Sequence, residues 1–519
     1  MKLTVWRILC VAACLAMLAA SQACAAAQEG QAAASTAPAK VAPVEHMLGA
    51  GTAFATPYYV IDSGKPGPTV MINGGMHGDE PAGAAAARQI RFWTIARGKL
   101  IVLPEANRLA LEVRTRSTPK AVAAKLGMEE TNLNRCFAST RKESPKGPLA
   151  AAIWAVLKEV KPEWLVDLHE GFAVAGENSS SVGSSVISSR SQEARGEAQA
   201  MVDEVNATLT DEEMRFLVKS QPIAGSLARA AADVMGVHSM IAETTTGDQP
   251  ISLRSRQHRL MVHRLLADLK MEPCSVEVVM GDAAGKIRVA IYDGEGAHQG
   301  LSIDHKLVDG SDMLVERIGP PELGAGALAH FDVLIMPGGS ASAEARSLGL
   351  DGRQTVRQFV AGGGGYVGIC AGAYLGTSTY QWYLGLVNAT VVDGGRGKDV
   401  VTMELTAEGR KLLGEKTAPF EVRYANGPIV VPGKRTDLPA YKELAVFRTE
   451  LEMMDREPNV QMNGSPAIVA ATHQRGRAMC ISPHPEATTG LEDLVRSAVR
   501  WAAGRESTSA TPLPAAAIP

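Results

Sequence analysis

A chain of 519 residues is too long for one ordinary core, and 46% hydrophobic with 21% charged residues is the balance of average soluble protein, so two globular domains are expected. The formal net charge of -3 leaves no basic excess to neutralise phosphates or anionic lipid, which excludes charge-driven binding of nucleic acid or membrane surfaces. Small polar substrates remain.

At the N-terminus, Lys2 and Arg7 precede an apolar run over residues 8–20, and Ala23, Cys24 and Ala25 supply small residues after it. That is the build of a secretory signal, expected over residues 1–25, and it predicts export to the periplasm or medium. The run is too short to span a bilayer, and residues 26–44 are rich in Ala, Ser and Pro, which reads as a flexible linker with no membrane span. A lipid-modified Cys24 is the competing reading, and Ser21-Gln22-Ala23 lacks the Leu expected three residues upstream. Without the signal, Cys136, Cys274, Cys370 and Cys480 remain, too few for a disulfide-built scaffold.

Strand-like runs at 69–73, 100–104 and 164–168 then alternate with Ala-rich stretches of helical period at 81–90 and 149–159, an α/β pattern. The pattern restarts after Pro273 and the Gly281–Gly285 stretch, with buried-strand runs at 287–292, 333–336 and 366–369. The expected division is a first α/β domain over 45–272, a linker over 273–285, a second α/β domain over 286–504 and an unstructured tail over 505–519. No internal repeat is present.

In the first domain, the strand from Thr69 leads into Gly74-Gly75-Met76-His77-Gly78-Asp79-Glu80-Pro81, where Pro81 suits a first helical turn. An imidazole and a carboxylate at that spacing converge on one ion, and His169 in Asp167-Leu168-His169-Glu170 offers the third ligand a catalytic zinc needs. Between them lies Asn132-Leu133-Asn134-Arg135-Cys136-Phe137. Together with Glu243 in Ile241-Ala242-Glu243-Thr244, these motifs resemble the zinc carboxypeptidase superfamily, especially its succinylglutamate desuccinylase and aspartoacylase branch. The resemblance covers residues 45–270 and implies a zinc-carboxypeptidase-like α/β domain with a mixed sheet.

By the matching motifs it implies one zinc per chain held by His77, Glu80 and His169, with Glu243 taking a proton from the activated water. Manganese, cobalt or iron also suit such a donor set. Asn134 and Arg135 would grip a substrate carboxylate, the planar guanidinium matching it bidentately. An arginine polarising the scissile carbonyl is expected upstream of that motif, Arg116 or otherwise Arg114. True carboxypeptidases place a tyrosine before the catalytic Glu, yet no tyrosine occurs between Val60 and Ile291, so an N-acyl amino acid or an unusual amide such as one in a cell-wall peptide fits better. The Ser-rich stretch 178–191 is expected at the rim of the site.

In the second domain, Gly368-Ile369-Cys370-Ala371-Gly372 places a cysteine at a strand-to-helix turn, a geometry that presents a nucleophile and favours its thiolate. With Tyr292-Asp293-Gly294, Met336-Pro337-Gly338-Gly339, Tyr424 to Pro428 and His484-Pro485-Glu486, it resembles the class I glutamine amidotransferase fold, most closely the domain at the N-terminus of some biotin-protein ligases. That implies a flavodoxin-like domain in which Cys370 attacks, His484 is its base and Glu486 orients the imidazole. No synthetase and no Gly-x-x-x-x-Gly-Lys loop accompanies it, so a working thiol amidase, a domain that only binds a ligand, and a disulfide between Cys370 and Cys480 all stay open. The leading expectation is an exported zinc hydrolase of an amide next to a free carboxylate, against a wholly non-catalytic binding protein. The sequence leaves the oligomeric state undetermined.

Overall fold

The computed structural model describes residues 42–127, 132–138, 140–174, 180–246, 249–273, 275–278, 285–297, 303, 312–452 and 457–505. The expected signal with Cys24, nearly all of the linker after it, Cys274, most of the Gly-rich stretch before Gly285 and the tail from 506 lie outside the described residues. From Pro43 on, the chain clusters as one compact unit.

The first sheet has eight strands: β1 (Val44–Leu48), β2 (Thr56–Asp62), β3 (Thr69–Gly74), β4 (Lys99–Leu103), β5 (Trp164–Gly171), β6 (Ser185–Ser188), β7 (Leu217–Ser220) and β8 (His238–Thr245). Their order is β1-β2-β4-β3-β5-β8-β6-β7. Strands β4, β3, β5 and β8 run parallel at the centre, while β2 and β6 join them antiparallel, which makes the sheet mixed. Alternate residues serve opposite faces. Val70, Ile72, Leu100, Val102 and Val166 fill one apolar layer; Met71, Ile101, Leu103 and Leu165 fill the other. The helix Pro81–Ile90 packs Ala86, Ala87 and Ile90 on the first layer, and Pro148–Val160 packs Leu149, Ile153 and Trp154 on the second.

The second half contributes β9 (Ile287–Tyr292), β10 (Met313–Ile318), β11 (Val333–Met336), β12 (Gly365–Ile369), β13 (Ala389–Asp393), β14 (Lys398–Leu405), β15 (Phe420–Ala425), β16 (Ile429–Pro432), β17 (Lys442–Phe447), β18 (Pro466–His473) and β19 (Gly476–Ile481). Nine of them form one sheet in the order β10-β9-β11-β12-β19-β18-β17-β14-β15, and β13 pairs with β16 apart from it. The first five are parallel, and in chain order they run second, first, third, fourth, fifth, the doubly wound flavodoxin-like arrangement expected for this half. The antiparallel extension from β18 to β15 is an addition that the sequence reading did not contain.

The helix Ile251–Asp268 joins the two halves. Its first half buries Ser252, Arg254, Ser255, Gln257, His258 and Arg259, and its second half buries Leu260, Met261, Val262, Leu265 and Leu266 in the first apolar layer. Buried polar groups must find partners. Ser252 N donates to Asp293 Oδ2 and Ser252 Oγ to the Asp293 carbonyl, each at 2.8 Å. Arg259 donates to Glu322 Oε1 at 2.9 Å, to the Val276 carbonyl at 2.9 Å and to Ser255 Oγ at 3.0 Å. Both members of the Arg259–Glu322 pair are about fully buried, with side chains 2% and 1% exposed. Truncating one member leaves the other charged and unpaired, so Glu322→Ala is expected to lower unfolding free energy by about 3 kcal/mol. The double variant Arg259→Met with Glu322→Leu should recover most of that loss. Urea midpoints at constant slope measure both, and an unchanged midpoint in Glu322→Ala would show that the pair does not secure this seam.

Candidate functional site

The end of β3 delivers the first centre. Gly78 is required there, because a Cβ would lie 2.0 Å from the Ala110 carbonyl oxygen. Pro81 opens the helix and leaves Glu80 at its N-cap with an extended-side backbone, φ -115° and ψ 67°. Glu80 Oε1 meets His77 Nδ1 at 2.8 Å and accepts from Arg116 Nη1 at 2.7 Å; Oε2 meets His169 Nδ1 at 2.8 Å. His169 comes from β5 and faces Glu243 on β8, its partner in the parallel register.

The far nitrogens are also held. His77 Nε2 lies 2.7 Å from Asn132 Oδ1, and His169 Nε2 lies 3.1 Å from Asp167 Oδ2. Orienting acceptors behind the imidazoles are the usual support of metal-ligating histidines. One ligand atom from each of His77, Glu80 and His169 lies within 4.8 Å of the others, and all three residues are buried. The donor set is two nitrogens and a carboxylate oxygen, and three carboxylates, Glu80, Asp167 and Glu243, crowd two imidazoles. A divalent cation fits those donors.

The electrostatics follow from burial. Burial would raise the Glu80 carboxyl, but His169 and His77 outweigh it and hold the group well below the usual carboxylate range. Burial likewise opposes protonation of His169, yet Asp167 and Glu80 lift its imidazole well above 6.5. Glu243 is pushed up to about 8, first by burial and then by the nearby Glu80 and Asp167, against the pull of His169 and Arg116.

His77, Glu80, Arg116, Arg135, His169 and Glu243 line one cavity of about 920 Å³. Of the two upstream arginines, Arg116 is in it, whereas Arg114 lines a separate cavity at the helix Ile251–Asp268. Asn134 also borders the site. Its Oδ1 accepts from Leu227 N at 3.0 Å and its Nδ2 lies 3.2 Å from His169 Nε2, so its side chain contacts a ligand as well as the cavity. Ser181, Val182 and Ile187 of the Ser-rich stretch line the rim, while 185–188 is strand β6. The sequence reading missed Asn132 and the role of Asp167. The second was findable, since residues 167 and 169 share a face of a strand.

Glu170, next to His169, accepts from Ala82 N at 2.8 Å and pairs with Arg254 of the helix Ile251–Asp268. Arg254 is buried, and burial lowers its guanidinium to about 10 while Asp293 raises it. The support of the ligand strand thus begins at the seam between the halves.

The second centre sits at the carboxyl end of β12. Cys370 has φ 50° and ψ -101°, a strained turn that aims its thiol out of the strand end. Cys370 Sγ donates to the Ala425 carbonyl at 3.3 Å, His484 lines the same cavity, and its Nδ1 lies 2.6 Å from Glu486 Oε1. Gly338 makes room for both side chains: a Cβ there would stand 2.7 Å from His484 Cε1 and 3.5 Å from Cys370 Cβ. Burial alone would lower the His484 imidazole, but Cys370 and Glu486 raise it to about 9. Cysteines 370 and 480 are both free, which removes the disulfide reading. They belong to apolar layers on opposite faces of the sheet, and burial pushes the Cys480 thiol up to about 12.

Two outcomes are expected from this second geometry. Because His484 titrates at about 9 when folded and 6.5 is its ordinary value, its protonation contributes stability that is fully present below about pH 6.5 and lost as pH rises through about 9. Thermal unfolding of the wild type and Glu486→Gln should therefore differ most at pH 6 and converge by about pH 10. A difference independent of pH would contradict the assigned pair. All three described cysteines are buried, but Cys370 alone of them lines this cavity, so iodoacetamide at neutral pH should label it ahead of Cys136 and Cys480, and His484→Ala should slow that labelling.

Residues 66–259 match the model of the succinylglutamate desuccinylase/aspartoacylase catalytic domain, and residues 328–397 match that of the biotin-protein ligase N-terminal region. Over 132 residues the chain is 30% identical to N-alpha-acetyl-L-2,4-diaminobutyric acid deacetylase of Halomonas elongata, a match covering 25% of this chain and 36% of that protein. The chain thus spans about a third of the length of the curated relative it matches. Among solved structures, the tripeptide-bound cell shape determinant Csd4 of Helicobacter pylori aligns at 17% identity and TM-score 0.35 over 43% of this chain and 57% of that one. The product-bound ectoine utilization protein EutE (DoeB) of Ruegeria pomeroyi aligns at 19% identity and TM-score 0.31 over 44% and 64%. Residues 66–259 are thus similar to the succinylglutamate desuccinylase/aspartoacylase catalytic domain, and residues 328–397 to the biotin-protein ligase N-terminal region.

Proposed function

We propose that the protein is an exported, zinc-dependent hydrolase that cleaves an amide bond next to a free carboxylate, in an N-acyl amino acid or a cell-wall peptide. The observation that carries this reading is the convergence of His77, Glu80 and His169 beside a buried Glu243 in one cavity. A bound zinc ion supplies Lewis-acid polarisation of a carbonyl and lowers the pKa of water. The remaining work falls to the protein. Glu243 takes a proton from the attacking water and returns it to the leaving amine. Arg116, half exposed with its guanidinium on Glu80, is within the cavity to balance negative charge developing on the carbonyl oxygen. Arg135 recognises the substrate carboxylate, since its planar fork matches one bidentately.

The relative from Halomonas elongata is named for removing an acetyl group from a diamino acid, which supports an N-acyl amino acid as one substrate class. Phe172 and Ile223, 68% and 51% exposed, flank the same cavity and provide apolar contact for an acyl chain or peptide. Export rests on the N-terminal sequence alone, and no helix among the described residues is long and apolar enough to cross a membrane. A second, thiol-dependent centre is the other part of the proposal, supported by Cys370 at a strained turn with His484 and Glu486 in line behind it.

The test is metal content with hydrolysis of a panel of N-acyl amino acids and cell-wall peptides. His77→Ala should lose bound zinc and activity together. Glu243→Gln should keep about one equivalent of zinc and lose at least a hundredfold in kcat/KM, a typical general-base contribution being about 10²–10⁴. Zinc-free wild type, or panel activity lost only in Cys370→Ala, would sink the leading reading.

A further inference from the structure

The cavity at Cys370, about 540 Å³, is lined by Tyr374, Trp382, Tyr383, Lys398, Arg423 and His484 among others, and its lining contains no Asp or Glu. Lys398 and Arg423 are exposed there, and among the described residues neither side chain has a hydrogen-bond or ion-pair partner. Arg423 is held close to the base, because its carbonyl accepts from His484 N at 2.7 Å. The opposite wall is aromatic: Trp382 and Tyr383 meet edge to face at 4.3 Å, and Tyr374 is fixed by its hydroxyl on the Asn426 carbonyl at 2.9 Å.

We propose that this second centre hydrolyses acyl compounds whose acyl chain ends in a carboxylate and carries no free amine, such as half-amides or half-esters of dicarboxylic acids. The proposal rests on the reading of Cys370, His484 and Glu486 as a thiol centre. Two unpaired cations beside the nucleophile attract a distal carboxylate, and the aromatic wall takes the methylene chain between carboxylate and carbonyl. A substrate ammonium finds no carboxylate in the lining, so free glutamine is disfavoured.

The reaction balances with water alone. Cys370 Sγ bonds to the acyl carbon while His484 holds the thiol proton, and the carbon–nitrogen or carbon–oxygen bond breaks with that proton passing to the leaving amine or alcohol. Water then attacks the thioester, one of its protons returns through His484 to the sulfur, and the free dicarboxylate leaves. Glu486 holds the imidazole throughout.

The experiment uses the full chain and counts only turnover that is lost in Cys370→Ala or after iodoacetamide treatment, the second control covering a folding defect in the first. The substrates are p-nitrophenyl hemiglutarate against p-nitrophenyl butyrate, and glutaramic acid against glutamine with ammonia release as the readout. Hemiglutarate should be preferred by about tenfold or more in kcat/KM, the range of one charge-assisted hydrogen bond. Lys398→Ala with Arg423→Ala should bring that ratio near one, and in the wild type glutaramic acid should exceed glutamine. Equal turnover of hemiglutarate and butyrate by the wild type, or a preference for glutamine, overturns the substrate assignment and leaves the thiol centre standing. No Cys370-dependent turnover and no acyl adduct by intact mass with any ester overturns the thiol centre and the assignment together.

Discussion

One buried carboxylate, that of Glu80, ties the first centre together. Its oxygens meet two imidazoles and a guanidinium, and its Oε2 also accepts from Glu170 N at 3.2 Å. A carboxylate so placed is tolerable only when every lone pair is answered, so the loop after β3, the segment bearing Arg116 and the end of β5 must all arrive in fixed positions. The constraint propagates outward. Glu170 is pinned by Ala82 N and Arg254, and the helix bearing Arg254 carries the Ser252 contacts to Asp293 in the other half. The packing of the two halves therefore starts one residue from a ligand position.

Much of this was legible because the local signals were strong. Proline at the first helical turn and an Ala-rich run with helical period mark the helix Pro81–Ile90 at both ends, and the apolar runs at 287–292 and 333–336 coincide with β9 and β11. Those strands are buried on both faces, so hydrophobicity alone reports them. The ligand set was legible for a different reason, since His, Glu and Gly at a strand end form a pattern that few structural roles produce.

What stayed hidden depends on three-dimensional partners. The helix Ile251–Asp268 buries arginines, serines and a histidine in its first half, and its buried apolar positions begin only at Leu260, so an apolar stripe announces its second half alone. The antiparallel strands β14 and β15 alternate exposed and buried positions over short lengths and gain their register only from each other. Asn132 reads as an ordinary polar residue until His77 Nε2 is placed 2.7 Å away. The choice between Arg114 and Arg116 was closed to sequence for the same reason. Two residues apart along the chain, they end in different cavities, because Arg114 sits at a left-handed helix end with φ 54°.

The two centres use one architectural device for different chemistry. Each lies where a central parallel strand ends in a Gly-rich turn, the place at which a sheet can present side chains without breaking its own hydrogen bonds. The first turn brings His77, Glu80 and His169 together as a donor set for a cation. The second places a thiol, an imidazole, a lysine and an arginine in a cavity without an acid in its lining, which creates a demand for an anion. A metal attracted to the first finds no group of three His, Cys, Asp or Glu donors at the second among the described residues. Both cavities offer arginine to a carboxylate, Arg135 in the first and Arg423 in the second, so what separates the two centres is the chemistry at the strand end, a cation site in one and a thiol in the other.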